Sequence, residues 1–155
     1  MMSMRTKFAV AWFLLLALAS VAPASATAQD GPSANPVGTW LTESGHGVIR
    51  FSPCDDGLCG AIVGIDRAPG EPMPTDVAGR PQCGLTIFTG SADAPDGVTE
   101  GHITDPRSGK TYQAQVWVDA TGRLHLRGYL GVPLLGATQV WQPFSGRIDD
   151  ACRFT

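Results

Sequence analysis

From residue 37 onward the chain runs in short apolar or alternating stretches, each cut off by a cluster of Gly, Pro or Asp. The stretches predict strands near residues 38–42, 47–51, 58–65, 85–89, 98–104, 110–118, 124–130 and 137–142. The breaks between them carry turn chemistry: Asp55-Asp56-Gly57, Pro95-Asp96-Gly97, Asp105-Pro106-Arg107-Ser108-Gly109 and Asp119-Ala120-Thr121-Gly122. In such clusters the Asp side chain bonds its own backbone and the glycine supplies a positive φ. No stretch beyond residue 28 keeps a helical period over three turns. Evenly spaced short strands with turns between them predict an all-β sandwich or barrel.

One hairpin also predicts its own register. Tyr112, Ala114, Val116 and Val118 alternate with Thr111, Gln113, Gln115 and Trp117, and beyond the turn Leu124 and Leu126 alternate with His125 and Arg127. Setting Val118 against Leu124, Val116 against Leu126 and Tyr112 against Leu130 makes one face apolar throughout. A slip of one residue would set valines against charges. The inward set is therefore expected to be Tyr112, Val116, Val118, Leu124 and Leu126, joined by Ile49, Phe51, Ile87 and Ile103. The same alternation puts His46, His102 and His125 on the polar side, as solvated residues rather than ligands or bases.

Residues 66–84 are a Pro- and Gly-rich stretch without periodicity, read as a covering loop between strands. Residues 29–36 form a lead-in to the barrel region of residues 37–142, and residues 143–155 form a tail with Cys152 as its anchor. The first 28 residues are different in kind. Arg5 and Lys7 precede an apolar run over residues 8–21, followed by the small-x-small sequences Ala24-Ser25-Ala26 and Ala26-Thr27-Ala28. That three-part pattern predicts a signal peptide cleaved after residue 26 or 28. The run is shorter than the 20 or so apolar residues of a membrane span, so the product is expected not to be an integral membrane protein.

The whole chain has 155 residues, enough for one domain. Its net charge is −3, and loss of Arg5 and Lys7 with the signal leaves −5. An acidic surface excludes the class of nucleic-acid binders, which need a basic one. Only 16% of the residues are charged while 43% are apolar, which argues against disorder.

Export leads to the periplasm or the extracellular space, where cysteines oxidise. The four cysteines, Cys54, Cys59, Cys83 and Cys152, allow three pairings. Strand ends around the Asp55-Asp56-Gly57 turn favour Cys54 with Cys59, since cross-strand neighbours meet the bond's geometry. Chain entropy would then give about 2 kcal/mol for that short loop and about 4 for Cys83 with Cys152. A zinc site is not expected, because no second close pair and no nearby His completes four ligands. No metal or other cofactor is predicted.

Catalytic motifs are equally sparse. There is no Gly-x-Ser-x-Gly, His-Glu-x-x-His or phosphate-binding Gly loop. Glu100, His102 and Asp105 are the nearest constellation, and they read more simply as a surface pair and a turn starter. No enzyme is expected.

Several segments together resemble a known family. They are Gly38-Thr39-Trp40-Leu41, Pro53-Cys54 with Leu58-Cys59-Gly60, and Arg80-Pro81-Gln82-Cys83-Gly84-Leu85. Asp105-Pro106 with Gly109-Lys110-Thr111-Tyr112 follows, then Leu126-Arg127-Gly128-Tyr129-Leu130-Gly131, Leu134-Leu135-Gly136 and Thr138-Gln139-Val140-Trp141. In that order they resemble domain-of-unknown-function family 2147, over about residues 37–142. The resemblance implies a small exported bacterial protein with an eight-stranded antiparallel lipocalin-like barrel and no established activity. It carries over no catalytic residues. Gly38-Thr39-Trp40 also resembles the Gly-x-Trp that opens the first lipocalin strand, where the Trp closes one barrel end beneath a basic side chain. Arg127 is the candidate for that partner, although the hairpin register turns it outward, and the second lipocalin signature, Thr-Asp-Tyr, is absent.

Eight strands is the number at which a barrel interior is either just filled by side chains or able to hold one small ligand. The apolar inward set favours a binding module for a small hydrophobic or lipid-like ligand, with the Tyr112 hydroxyl available to its polar end. The alternative is an envelope interaction protein or inhibitor docking through residues 131–136, a loop otherwise read as a plug over one barrel end.

Overall fold

The computed structural model describes residues 35–55, 57–94 and 96–154. The predicted signal peptide, the start of the lead-in and Asp56 of the first turn lie outside the described residues. Eight antiparallel strands close into one barrel in chain order. They are β1 (Gly38–Leu41), β2 (Gly47–Cys54), β3 (Gly57–Ile65), β4 (Thr86–Gly90), β5 (Thr99–Thr104), β6 (Thr111–Val118), β7 (Leu124–Tyr129) and β8 (Ala137–Pro143). All lie where the hydrophobic pattern set them, with β2 running on to Cys54. Closure comes from Trp40 opposite Pro143 and Leu41 opposite Gln142. A closed sheet has no free edge to recruit another chain.

The β6–β7 hairpin has the expected register, with Val118 opposite Leu124, Val116 opposite Leu126 and Trp117 opposite His125. The last pair is Gln113 with Tyr129. Leu130 has therefore left the sheet and is exposed, instead of facing Tyr112. Turn chemistry explains the departure: Gly131 takes φ 80° and bends the chain away.

Two irregularities aim side chains that simple alternation cannot place. Val48 pairs with Gly64 but Ile49 with Ile62, so Val63 is an extra residue in β3. Gly60 pairs with Phe88 but Ala61 with Thr86, so Ile87 is an extra residue in β4. Such bulges bend the strand and reorient its side chains. Phe88, absent from the predicted inward set, thereby fills the barrel centre, its ring edge-on to Phe51 at 5.3 Å between centroids.

Three turns share one construction. In Asp76-Val77-Ala78-Gly79-Arg80 and Asp119-Ala120-Thr121-Gly122-Arg123 the Asp N–H donates to the Arg carbonyl, and the Gly N–H donates to the Asp carbonyl. The Asp carboxylate accepts from the backbone N–H two and four residues on. Asp149-Asp150-Ala151-Cys152-Arg153 repeats this pattern. Gly79 and Gly122 have φ 77°, and Cys152 takes the same place at φ 61°. A left-handed backbone is unusual for a side chain with a Cβ.

Two disulfides are formed, Cys54–Cys59 and Cys83–Cys152. The second joins the long loop to the tail. The tail is also held by contacts other than that bridge, Phe154 among them, which the sequence did not predict. Ile65 N–H donates to the Cys152 carbonyl at 2.8 Å. Phe154 packs edge-on to Phe144 and over Gly64. Gly64 is what lets that ring approach, since a Cβ there would meet it at 3.0 Å.

Candidate functional site

Antiparallel up-and-down connection puts the loops at residues 42–46, 66–85, 105–110 and 130–136 at one end of the barrel. The tight β2–β3 and β6–β7 turns lie at the other, with the β4–β5 connection over residues 91–98, beside which Pro53, Leu58, Ser91 and Thr99 border a further recess of about 390 Å³. Phe51, Phe88, Val116, Val118, Leu124, Trp40 and Trp141 are buried together, and pack the interior from its centre to the tight-turn end. Towards the long-loop end the interior opens into two recesses. One, of about 470 Å³, is lined by Ile87, Ile103, Tyr112, Leu126, Gln139 and Trp141, with Gly128 and Ala137 beside them. The other, of about 540 Å³, has Ile49, Ile62 and Ile65 on its wall. Asp105, Pro106, Arg107 and Gln139 border both, so the β5–β6 turn stands over the mouth between them.

Residue size decides where the interior is full. A Cβ on Gly60 would meet the Phe51 ring at 3.0 Å, and one on Gly101 would meet the Thr89 carbonyl at 2.3 Å and the Phe88 ring at 2.8 Å. On Gly128 it would touch only Ile103 and Tyr112 at 3.9 Å, an ordinary contact. The small pair Gly128 and Ala137, opposite one another on β7 and β8, leaves the mouth open on that wall.

The nine residues predicted to line a cavity divide between these halves. Ile49, Ile87, Ile103, Tyr112 and Leu126 border the recesses. Phe51, Val116, Val118 and Leu124 face inward but are packed core. Sequence reasoning missed Gln139, Trp141 and Ile62. Val140 and Trp141 make β8 apolar on both faces, which hides its alternation; taking Trp141 as inward would have brought Gln139 in with it.

Arg127 is not the partner of Trp40. Trp40 is buried, and its indole N–H donates to the Pro36 carbonyl at 2.9 Å. Arg127 points outward on β7, where Nε donates to the Pro133 carbonyl at 2.6 Å, Nη1 to Thr138 Oγ1 at 2.8 Å and Nη2 to the Leu134 carbonyl at 3.3 Å. It thus fastens the β7–β8 loop, which includes a 3₁₀ turn over Pro133–Leu135. That loop is no plug: Leu134 is 86% and Leu135 79% exposed. Facing the tethered carbonyls inward to Arg127 turns both leucine side chains to solvent.

The long loop is built on Asp76. Its carboxylate, almost fully buried, accepts from the N–H groups of Ala78 and Arg80 and from the Arg80 guanidinium. The Arg80 N–H, the largest influence, holds the Asp76 carboxyl below its usual range, against the opposing effect of burial. The loop then reaches the mouth, where Val77 N–H donates to the Pro106 carbonyl at 3.1 Å. At the mouth itself, burial disfavours the Asp105 charge. Hydrogen bonds from the Arg107 N–H and the Ser108 hydroxyl outweigh it and keep that carboxyl below its ordinary range.

Glu100 and His102 border one recess on the outer face, with Gln113 and Tyr129, while Asp105 lies apart from them at the inner mouth. Glu100 lies on the outer face and accepts from Gln115 Nε2 at 2.6 Å and from the Tyr129 hydroxyl at 3.2 Å. Burial and then the Glu100 charge push the Tyr129 phenol up. Among the described residues no group of three His, Cys, Asp or Glu side chains is placed to hold a metal ion, and no helix is long and apolar enough to cross a membrane.

A closed eight-stranded antiparallel barrel, packed at its centre and open towards the long loops, has a lipocalin-like fold. The chain is similar in fold to the HP1028 protein of the human pathogen Helicobacter pylori, described as belonging to the lipocalin family. The TM-score is 0.62 at 16% identity, over 73% of this chain and 85% of that one. Residues 38–143 match the DUF2147 family, described as an uncharacterized protein conserved in bacteria, and the chain belongs to that family. No curated protein matches the chain.

Proposed function

We propose that this protein is an exported binding module that carries a small, mainly apolar ligand in the open half of its barrel, without turning it over. The carrying observation is the 470 Å³ recess inside the barrel, walled by Ile87, Ile103, Leu126 and Trp141 and bordered by the polar residues Tyr112 and Gln139. Apolar walls with a few placed polar groups are what small-molecule sites have in common. Two disulfides fit an oxidising compartment outside the cytoplasm, periplasmic or extracellular. Native mass spectrometry tests the proposal, comparing protein purified from an exporting host with the same protein refolded from denaturant. The expected result is a hydrophobe-sized adduct that refolding removes. A bare mass in both, with no rise in melting temperature across a panel of lipids and hydrophobes, would overturn it.

A second reading has its own observation. Leu134 and Leu135 project from a loop that Arg127 holds at three points, and Leu130 and Val132 beside them are exposed too. A firmly held apolar projection suits docking on a partner in the cell envelope. A co-purifying partner lost on changing both leucines to Asp would favour this reading, and unchanged co-purification would count against it.

A further inference from the structure

Exposed large apolar residues are not spread evenly over this barrel. Among the described residues they are Val37, Val77, Leu130, Val132, Leu134 and Leu135. All but Val37 stand at the long-loop end, and Val37 borders the recess beside the tight turns. A single exposed leucine needs no explanation, but a set gathered at one end does. Four of the residues project from the β7–β8 loop, within a stretch over residues 128–146 that carries no charge. Val77 projects from the long loop. Its N–H donates to the Pro106 carbonyl, and a Cβ on Gly109 would meet its Cγ2 at 2.9 Å, so it stands against the β5–β6 turn.

The strands close in chain order, so around the rim the β5–β6 turn falls between the long loop and the β7–β8 loop. That turn carries two exposed cations, Arg107 and Lys110. Its carboxylate, Asp105, is already engaged by the Arg107 N–H and Nε and by the Ser108 hydroxyl. The acids Glu43 and Asp66 belong to the opposite side of the rim, where His46 of the β1–β2 loop lies 3.1 Å from Asp66. Glu71, on the long loop, accepts from the Ala68 N–H. One side of the rim therefore runs from an apolar point through a basic turn to an apolar loop.

A protein partner would have to be shaped to two separate projections and pack well over about 1,000 Å². A bilayer reshapes itself around apolar tips, and anionic headgroups attract the cations between them. We infer that the barrel docks by this side of its rim on an anionic lipid surface, with Leu134 and Leu135 entering the acyl boundary and Arg107 and Lys110 among the headgroups. The inference rests on the reading of the β7–β8 loop as a docking element and names what it docks on. Two leucine side chains hold fewer carbons than a single myristoyl chain, whose own binding is marginal, so the attachment is reversible.

Co-sedimentation with vesicles tests this. The protein comes from an exporting host, and its mass first shows that the apolar run at residues 8–21, a lipid binder by itself, is gone. The wild type is expected to bind vesicles of equal phosphatidylcholine and phosphatidylglycerol, and phosphatidylcholine alone more weakly. Changing Leu134 and Leu135 to Asp should weaken binding to both about tenfold or more. Arg107→Ala and Lys110→Ala should each cost about fivefold on the mixed vesicles only. Thermal melts check that every variant folds. Binding that ignores the leucines and disappears in high salt is adsorption by charge alone, and it overturns the inference, as does no binding at millimolar lipid. If vesicles are ignored while a protein co-purifies in a leucine-dependent way, the lipid surface is wrong and the docking reading stands. If neither is seen, the docking reading falls with it.

Discussion

The two halves of this barrel are built from the same strands and differ in what those strands carry inward. Near the tight turns, glycines at 60, 90 and 101 stand where the rings of Phe51 and Phe88 press against the wall. Near the long loops, Gly128 and Ala137 face each other with no ring behind them, and Tyr112, Ile87 and Ile103 only partly cover the space. A glycine in one half makes room for a neighbour that fills it, and in the other half the room stays. The difference teaches that an inward-facing apolar residue becomes core or cavity wall according to its partners across the barrel. The packed half fixes the barrel's shape, so the open half needs no filling to persist.

The strongest way to break this comparison is to exchange the two kinds of glycine. Gly101→Ala drives a methyl into the Thr89 carbonyl, and overpacking against backbone should cost about 3 kcal/mol or more, or prevent folding. Gly128→Ala, whose methyl would make only ordinary contacts at 3.9 Å, should change stability by less than about 1 kcal/mol. Urea unfolding of both variants checks the contrast, and equal losses would mean the halves are packed alike. Truncation makes the same point from the other side. Phe88→Ala should lose about 3–5 kcal/mol, as aromatic-to-alanine changes in cores do, whereas Tyr112→Ala at the partly empty wall should lose clearly less.

Removing the Cys83–Cys152 bridge with serines tests whether the open end depends on its covering loop. Chain entropy sets an upper value of about 4 kcal/mol. The tail's other anchors, Phe154 on Gly64 and Ile65 on Cys152, should keep the measured loss below that. Proteolysis of the oxidised serine variant should open residues 66–84 before the barrel. A first cut within the barrel would show that the loop is held independently of the bridge.

Acid offers a gentler probe. Asp76, Asp119 and Asp149 have carboxyls held below their ordinary range by the turns they organise, with the Thr121 hydroxyl the largest influence at Asp119. A depressed folded value means that the stabilisation is complete above the unfolded value of about 4 and is lost as pH falls through the folded one. Melting temperature should therefore be flat near neutrality and fall below about pH 4. Asp76→Asn should lower it at neutral pH and shrink the acid-dependent part. The smallest effect is expected at the rim, where changing Leu134 and Leu135 to Asp should leave stability within about 0.5 kcal/mol.

Much of the architecture was legible in the chain. Alternation and turn residues placed every strand, and the Val116–Leu126 and Val118–Leu124 pairs set the hairpin register before any coordinates. The Asp-Asp-Gly turn pointed to the Cys54–Cys59 bridge. The site was legible only in part: Tyr112, Ile103, Leu126, Ile49 and Ile87 border it, while Phe51 and Val116 belong to the packing. Gln139 escaped because a polar side chain in an apolar strand reads as outward when both faces carry apolar neighbours. Leu134 and Leu135 misled for the opposite reason, since an apolar loop reads as buried until the Arg127 tether is seen.

The sequence by itself determined the strands, the turns, the Cys54–Cys59 bridge and the inward alternation, because these are set by neighbours along the chain within a few residues. Only the tertiary structure decided which half of the barrel is full and where the bulges at Val63 and Ile87 redirect the walls. Those depend on residues brought together around a closed cylinder, and no local pattern carries the distance between Phe51 and Phe88 or the recess walled by Ile87, Ile103 and Trp141.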